Sequence, residues 1–529
     1  MTSNPSLPNP EQYMHTSGAN DPVWIHKHPY NQIPTFPPLD HDLTTDICII
    51  GAGISGIHVA HELVARGHSV VLLEARNPLS GESGRTSGHL TNDLDDGYLA
   101  IAQKHGEEGA RRAAESHAWA RDRIGEIARE VGVECEYRRV RAVNVSQYIR
   151  GTEEWERDMK EMKEEVELMK KLGIDARWEE DLAVKGWEGG LDQRGGMVVE
   201  GQATFHPTKY LTGVLEWLKQ QKNFQCFSRT RVVGIHEKGV EMLGMGHKHA
   251  EIETEAGYKI RCEAAVEATN IPLQKLSVIA EMEYMQQYKY VRLTTCDESH
   301  DYLVVGGCDH KVGQEDTLPR FKELEEWTRE RFPQAGSVDY KWSGQIMEPV
   351  DYVAFIGKNQ GNDRIFIVTG DSGDGLTHGV IAGRLIADEI DGVPNDWAGL
   401  YSPKRLGSIA KSLPHMIKHD VQINLQYKRY LETDIKDIED LAPGRGGVLN
   451  SATAKPLAVY KDPDGKVSKY SALCPHMKGV LCWNDAEKSF DCPVHGSRFS
   501  KDGICINGPA KANLPPADEA GKKDQEFAM

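Results

Sequence analysis

The chain has 529 residues, too many for one ordinary hydrophobic core, so two or three domains are expected. Hydrophobic residues make up 39% and charged residues 27%, the balance of a soluble globular protein. A formal net charge of −18 speaks against a nucleic-acid-binding surface, and no run of 18 apolar residues offers a membrane span.

Residues 1–40 are rich in Pro, Asn and Ser and read as a loosely ordered N-terminal arm. The arm lacks the basic start and apolar stretch of an export signal, so a cytoplasmic location is expected. The ten cysteines should then stay reduced.

Asp46-Ile47-Cys48-Ile49-Ile50 predicts a buried parallel strand, Ile54 to Arg66 a helix, and Ser69 to Glu74 a second strand. Between the first strand and the helix lies Gly51-Ala52-Gly53-Ile54-Ser55-Gly56, a G-x-G-x-x-G pattern. Its glycines allow a tight turn and close backbone approach to a pyrophosphate, and the helix start adds free N–H groups and a positive dipole. Glu74 can accept hydrogen bonds from a ribose, and its charge disfavours a 2′-phosphate, which points to FAD or NAD and away from NADP. No second such pattern occurs, since Gly244-Met245-Gly246 lacks the third glycine. Electrons are therefore expected from a directly bound substrate and not from a nicotinamide donor.

Residues 152–172 predict a charged surface helix that docks one stripe of Trp155, Met159, Met162, Val166 and Met169. From about 229 to 310, strand-like runs alternate with turns: Thr230 to His236, Ala250 to Thr254, Ala264 to Ala268, Tyr290 to Leu293 and Tyr302 to Val305. They suggest an antiparallel layer beside the nucleotide fold. Ile365 to Thr369 then predicts a strand that runs through the loop Gly370 to Gly379 into a helix from Val380 to Ile390. That helix start could hold the pyrimidine end of an isoalloxazine ring. Residues 407–431 read as helical, and short strands follow from about 441. The expected domains are thus 41–405, a linker helix over 406–435, and 436–529.

In the last of these, Cys474-Pro475-His476 is followed after fifteen residues by Cys492-Pro493-Val494-His495. Each loop supplies one thiolate and one imidazole, the set that a Rieske 2Fe–2S cluster needs, with two thiolates on one iron and two imidazoles on the other. Two Cys and two His could also form a tetrahedral zinc site, but zinc modules more often pair Cys with Cys and His with His. Gly496-Ser497-Arg498-Phe499, Asp502-Gly503 and Gly508-Pro509-Ala510 also resemble the flanks of Rieske domains. Rieske domains of respiratory complexes carry a disulfide between the cluster loops, and the matching positions here are Gly479 and Val494. Ser497 matches a hydroxyl that can donate to a cluster sulfur, and Phe499 replaces a donating tyrosine. Fewer hydrogen bonds to sulfur imply a lower potential. Cys482 and Cys505 match no ligand and read as buried small hydrophobes.

The chain before residue 400 resembles the flavin-dependent oxidoreductases of the D-amino acid oxidase type. The resemblance rests on the Gly51 to Gly56 loop with Glu74, Gly81-Glu82-Ser83-Gly84-Arg85-Thr86-Ser87-Gly88-His89-Leu90, Glu267-Ala268-Thr269-Asn270, Trp342-Ser343-Gly344-Gln345, Phe355-Ile356-Gly357 and the 370s loop. It implies an α/β fold, with a Rossmann-like FAD-binding domain and an antiparallel substrate layer, followed here by a small all-β Rieske domain. It implies FAD contacts at Gly51, Gly53, Ile54, Ser55, Gly56, Glu74, Ala75, Gly84, Arg85, Thr86, Val232, Ala268, Thr269, Gly370, Gly373, Gly375, Leu376 and Thr377. His89, Gln345 and His378 are the candidates to face flavin or substrate. Hydride transfer from a C–H bond, usually beside an amine nitrogen, is the chemistry the resemblance implies.

The expected activity is an FAD-dependent dehydrogenase of a small amine-type substrate, with single electrons leaving through a cluster held by Cys474, His476, Cys492 and His495 to an external acceptor. Two alternatives fit the same residues: a donor protein feeding the cluster so that FAD reduces a substrate or activates oxygen, and a non-enzymatic redox sensor. His415 and His419, at i and i+4 beside Asp420, do not match the ligand spacing of a ring-hydroxylating oxygenase.

Overall fold

The computed structural model describes residues 11–517 apart from 183, 185–186, 188–193, 240, 243–244, 274–287, 406–424 and 451–454. Strand β1 (Leu43–Ile50), helix α1 (Ile54–Ala65) and strand β2 (Val70–Leu73) form the expected βαβ unit, with Ile47 paired to Val70 and Ile49 to Leu72 in parallel register. The apolar runs are long enough to bury both faces, and Cys48, Ile49 and Leu72 have no exposed surface.

The order of the main sheet corrects part of the sequence reading. Lys259–Asn270, whose second half was expected in an antiparallel layer, is the central strand beside β1, with Ile49 paired in parallel to Val266. Its parallel neighbour is Ile365–Thr369, and Phe224–Phe227 extends the other side in parallel with β2. His249–Thr254 pairs antiparallel with the central strand's first half, and Val232–Lys238 pairs antiparallel with His249–Thr254. The separate antiparallel layer instead comes from His89–Leu90, Arg138–Asn144, Ala176–Glu179 and Gly196–Thr204, together with a hairpin of Tyr290–Thr295 and Asp301–Gly306. Helix Gly375–Asp391 packs against α1 and is capped by Gly392 in the left-handed region. Helix Glu153–Lys171 buries Met159, Val166 and Met169 along the expected stripe.

The C-terminal part holds two small antiparallel sheets. One is Arg445–Leu449, Leu457–Lys461 and Val467–Ser471; the other is Cys482–Asn484, Ser489–Asp491, Arg498–Ser500 and Cys505–Asn507. Of the expected linker helix, 406–424 lies outside the described residues, as do His415 and His419; Gln426–Leu431 is a 3₁₀ helix. Among the described residues no helix is long and apolar enough to cross a membrane.

The N-terminal arm is not loose where it is described. Val23, Trp24 and Ile25 are buried, and Trp24 Nε1 donates to Thr86 O at 2.8 Å. The arm is one wall of a junction between the two parts of the chain. Arg85 Nη2 and Glu487 Oε1 form an ion pair at 2.7 Å with both side chains buried. Arg85 also donates to Ser343 O at 2.5 Å, Thr16 Oγ1 at 2.5 Å and Asn20 O at 3.0 Å. The Glu487 carboxylate accepts further from Ala19 N at 3.0 Å, Ser343 N at 2.9 Å and Ser343 Oγ at 2.8 Å. Glu82 repeats the pattern, accepting from Ser17 Oγ, Asn507 Nδ2 and Gln345 N.

Removing one partner of a buried ion pair strands the other charge, which costs about 3–5 kcal/mol. Glu487→Ala is therefore expected to lower the unfolding free energy by about that amount and to open the stretch 432–445 to protease. Urea denaturation and limited proteolysis of the full chain check both.

Candidate active site

The dinucleotide cradle forms where β1 ends. Gly51 has φ of +105°, and a Cβ there would lie 2.4 Å from Ala268 O on the neighbouring central strand. Only glycine fits that turn, which brings the start of α1 against the sheet. A Cβ on Gly56 would likewise stand 1.9 Å from Gly51 O. At the end of β2, the Glu74 carboxylate accepts from Ala52 N and Arg76 N, both at 2.8 Å, which fixes its orientation. Ile54 N, the first helical amide, donates to Ser83 Oγ at 2.9 Å.

These residues line one end of a cavity of about 2930 Å³. A site for a single small ligand is about 300–1,000 Å³, so this space has room for a dinucleotide and a substrate together. Gly51, Gly53, Ile54, Ser55, Glu74, Ala75, Arg85, Thr86, Val232, Ala268, Thr269, Gly373, Gly375, Leu376 and Thr377 all line it; Gly56, Gly84 and Gly370 lie just behind the lining. The residues present fit FAD: a glycine turn at a helix start, a ribose-directed carboxylate, and a second helix start at Gly375. Arg85, expected at the flavin, spends its guanidinium at the domain junction.

The three candidates for chemistry, His89, Gln345 and His378, all line this cavity. His89 lines the cavity, bonded through Nδ1 to Ser87 Oγ at 2.9 Å and edge-on to Tyr290. Burial, with Arg292 nearby, pushes its pKa down to about 4, so the ring is neutral at pH 7. His378 is buried between His117 and Tyr401, and Asp371 O accepts from its Nδ1 at 3.0 Å. Burial holds it neutral too, at about 3. Gln345 belongs to the junction: its Nε2 donates to Gly496 O at 3.0 Å, and its Oε1 accepts from Asn507 Nδ2 at 2.8 Å.

Sequence reasoning missed an acidic wall between His89 and the 370s loop. Asp93, Asp95, Asp309, Glu348, Asp371 and Asp374 all line the cavity. They keep some surface toward that space while protein encloses them. Burial pushes Asp93 and Asp371 up to about 7 and Glu348 to about 9, and neighbouring carboxylates push the same way. The signal was present in Asn92-Asp93-Leu94-Asp95-Asp96, directly after the second flavin-like segment. Arg292 is no counter-ion, because its Nη1 donates to Gly88 O and Phe205 O while its guanidinium lies over Trp24.

The same cavity is lined by Val494, His495 and Gly496 of the cluster site. Two matching tight loops present its ligands: Lys478 N donates to Cys474 O and Gly496 N to Cys492 O, each at 2.9 Å. Cys474 and Cys492 are buried, and the rings of His476 and His495 lie 4.8 Å apart. The four side chains thus form a thiol pair and an imidazole pair, which suits two irons. A Cβ on Gly479 would meet Val494 Cγ2 at 2.5 Å, so these two positions do face each other where respiratory domains carry a disulfide. Ser497 Oγ accepts from Ala510 N at 3.1 Å and is hydrogen-bonded to Cys474, while Phe499 is fully buried with no hydroxyl to offer. Cys505 is buried as expected, whereas Cys482 is partly exposed and donates to Gly313 O across the junction.

The chain belongs to the FAD dependent oxidoreductase family, whose model matches residues 46–389, and it carries a Rieske [2Fe-2S] domain matched over residues 433–518. Its cofactors are accordingly FAD and a 2Fe–2S cluster. The Rieske 2Fe-2S iron-sulfur protein YhfW of Bacillus subtilis (strain 168) is 27% identical over 92% of this chain and 96% of its own length. Gamma-glutamylputrescine oxidoreductase of Escherichia coli (strain K12) is 25% identical over 68% of this chain and 87% of its own. Among solved structures, L-amino acid deaminase from Proteus vulgaris shares the fold with a TM-score of 0.54 at 17% identity, over 70% of this chain and 100% of that one.

Two outcomes follow. Asp93 has a raised pKa, so its share of stability is complete below the ordinary carboxylate value and is lost as pH rises through about 7. Asp93→Asn should therefore match the parent's melting temperature near pH 4 and exceed it near pH 8; an offset independent of pH contradicts this. An EPR redox titration should place the cluster midpoint below about +200 mV, in the lower part of the Rieske range.

Proposed function

We propose that the protein is a dehydrogenase of a small amine-type substrate, acting in the cytoplasm, that passes single electrons through its Rieske cluster to an external acceptor. The observation that carries this reading is the shared cavity: the flavin cradle, the acidic wall and His495 of the cluster loop all line it. FAD supplies a two-electron acceptor for hydride, and the cluster supplies a one-electron relay. In this reading Cys474, His476, Cys492 and His495 hold the cluster, and the cradle residues hold FAD.

The chain's own residues would do the rest. Carboxylates at Asp95, Asp371 and Glu348 would draw in an ammonium group, and its charge would return them toward the ionised state. A carboxylate kept partly protonated at pH 7 can also take the proton that an amine must lose before it gives up hydride. Neutral His89 lines the cavity without adding a positive charge that would repel the ammonium. Hydrogen bonds among Glu82, Gln345 and Asn507 would hold the cluster domain at the cavity. His476 is exposed beside Met477, which is 53% exposed, so the cluster has an outward edge as well as an inward one. The E. coli relative is named for an amine substrate, which supports the substrate class.

Anaerobic mixing of the loaded protein with a panel of primary and secondary amines tests this. The expected result is bleaching of flavin absorbance by one amine class, followed by the EPR signal of the reduced cluster. Bleaching only by an added reduced electron carrier would reverse the assigned flow.

A further inference from the structure

We propose that Gln314 and Gln345 are positioning residues that clamp the His495 loop of the Rieske domain against the flavin cavity. The proposal rests on the relay reading above and adds what holds the relay in place. Gln314 Nε2 donates to Pro493 O at 2.9 Å, and Gln345 Nε2 donates to Gly496 O at 3.0 Å. The two carbonyls lie on either side of His495, so the ligand's backbone is pinned before and after the imidazole. The loop's own turn, with Gly496 N on Cys492 O, leaves those carbonyls pointing out of the domain and open to outside donors.

Each clamp is itself held. Gln345 is 6% exposed, its Oε1 accepts from Asn507 Nδ2 at 2.8 Å, and its backbone N donates to Glu82 Oε2 at 2.7 Å. Beside Gln314, Gly313 O accepts from Cys482 Sγ, and Thr317 Oγ1 donates to Asn484 Oδ1 at 2.8 Å. The buried Gln345 amide cannot exchange a lost partner for water, so the docked arrangement is favoured over any slightly opened one. Both clamps are uncharged. They fix the loop at any pH and add no charge next to the cluster, which leaves its potential to Ser497 and the burial of the thiolates. A Lys or Arg in either place would pin the loop as well, but would also raise the potential.

The test uses the full chain loaded with FAD and cluster, with the flavin photoreduced by EDTA and light, so that no substrate is needed. The variants are Gln314→Leu, Gln345→Leu and the double variant, which spare the Arg85–Glu487 pair. Three quantities are read: the rate at which the reduced-cluster EPR signal grows, deuterium uptake by the peptide spanning 493–497, and the cluster's midpoint potential. The expected result is slowing by about tenfold for each clamp removed, with higher uptake at 493–497 and an unchanged potential. Unchanged uptake and rate in the double variant overturn the clamp. A change of potential large enough to explain the slowing also overturns it, because the amides would then tune and not position. A parent protein whose cluster is never reduced by its photoreduced flavin counts against the relay reading, and the uptake data alone then decide the clamp.

Discussion

The structure hangs on one buried charge. Glu487 has left water, so its carboxylate is tolerable only while its oxygens are filled by donors. Those donors come from three places distant in sequence: Arg85 in the second flavin-like segment, Ala19 in the N-terminal arm, and Ser343 in the strand-free stretch after residue 332. None can move without stranding the others, so the arm, the flavin-binding part and the Rieske domain are held in register at a single point. The pair adds specificity of arrangement more than net stability, since a buried ion pair roughly repays its own desolvation. Arg suits the role because its planar fork serves Glu487, Ser343 O, Thr16 and Asn20 at once.

From that register follows the geometry of electron flow. The cluster's two imidazoles face different ways: His495 borders the cavity, and His476 faces solvent. A cluster docked in this way can receive from one side and give to the other without swinging between partners. The acidic wall and His495 line the same cavity as the flavin cradle. Because its carboxylates crowd one another in an enclosed space, their proton affinity responds strongly to whether a cation is present.

Much of this was legible in the chain itself. The cluster ligands and the glycine turn are local patterns whose spacing is their geometry, and both domains were readable from them. The buried strands at Ile47 and Ile365 announced themselves by apolar runs. What failed were features set by long-range pairing. Lys259–Asn270 alternates for half its length and then becomes apolar, because it leaves an antiparallel edge and enters the sheet centre. Arg138–Asn144 carries three arginine-flanked positions and no apolar alternation, so nothing local marked it as a strand. The arm looked polar because its turns are, yet three consecutive apolar residues at Val23, Trp24 and Ile25 are buried, with Val23 and Trp24 packed against Val304 of the flavin part. Gln345 and Arg85 line the cavity, and their hydrogen bonds to Gly496 O and Glu487 join elements far apart in sequence, which no local pattern marks.

The central claim is that the cluster is docked within the same molecule at the flavin cavity. The most direct measurement is the rate of cluster reduction after photoreduction of the flavin, followed over a wide dilution series of the loaded protein. A fixed junction predicts a single first-order rate that does not change with protein concentration. A rate that falls in proportion to dilution would mean that electrons pass between molecules, and would contradict the account.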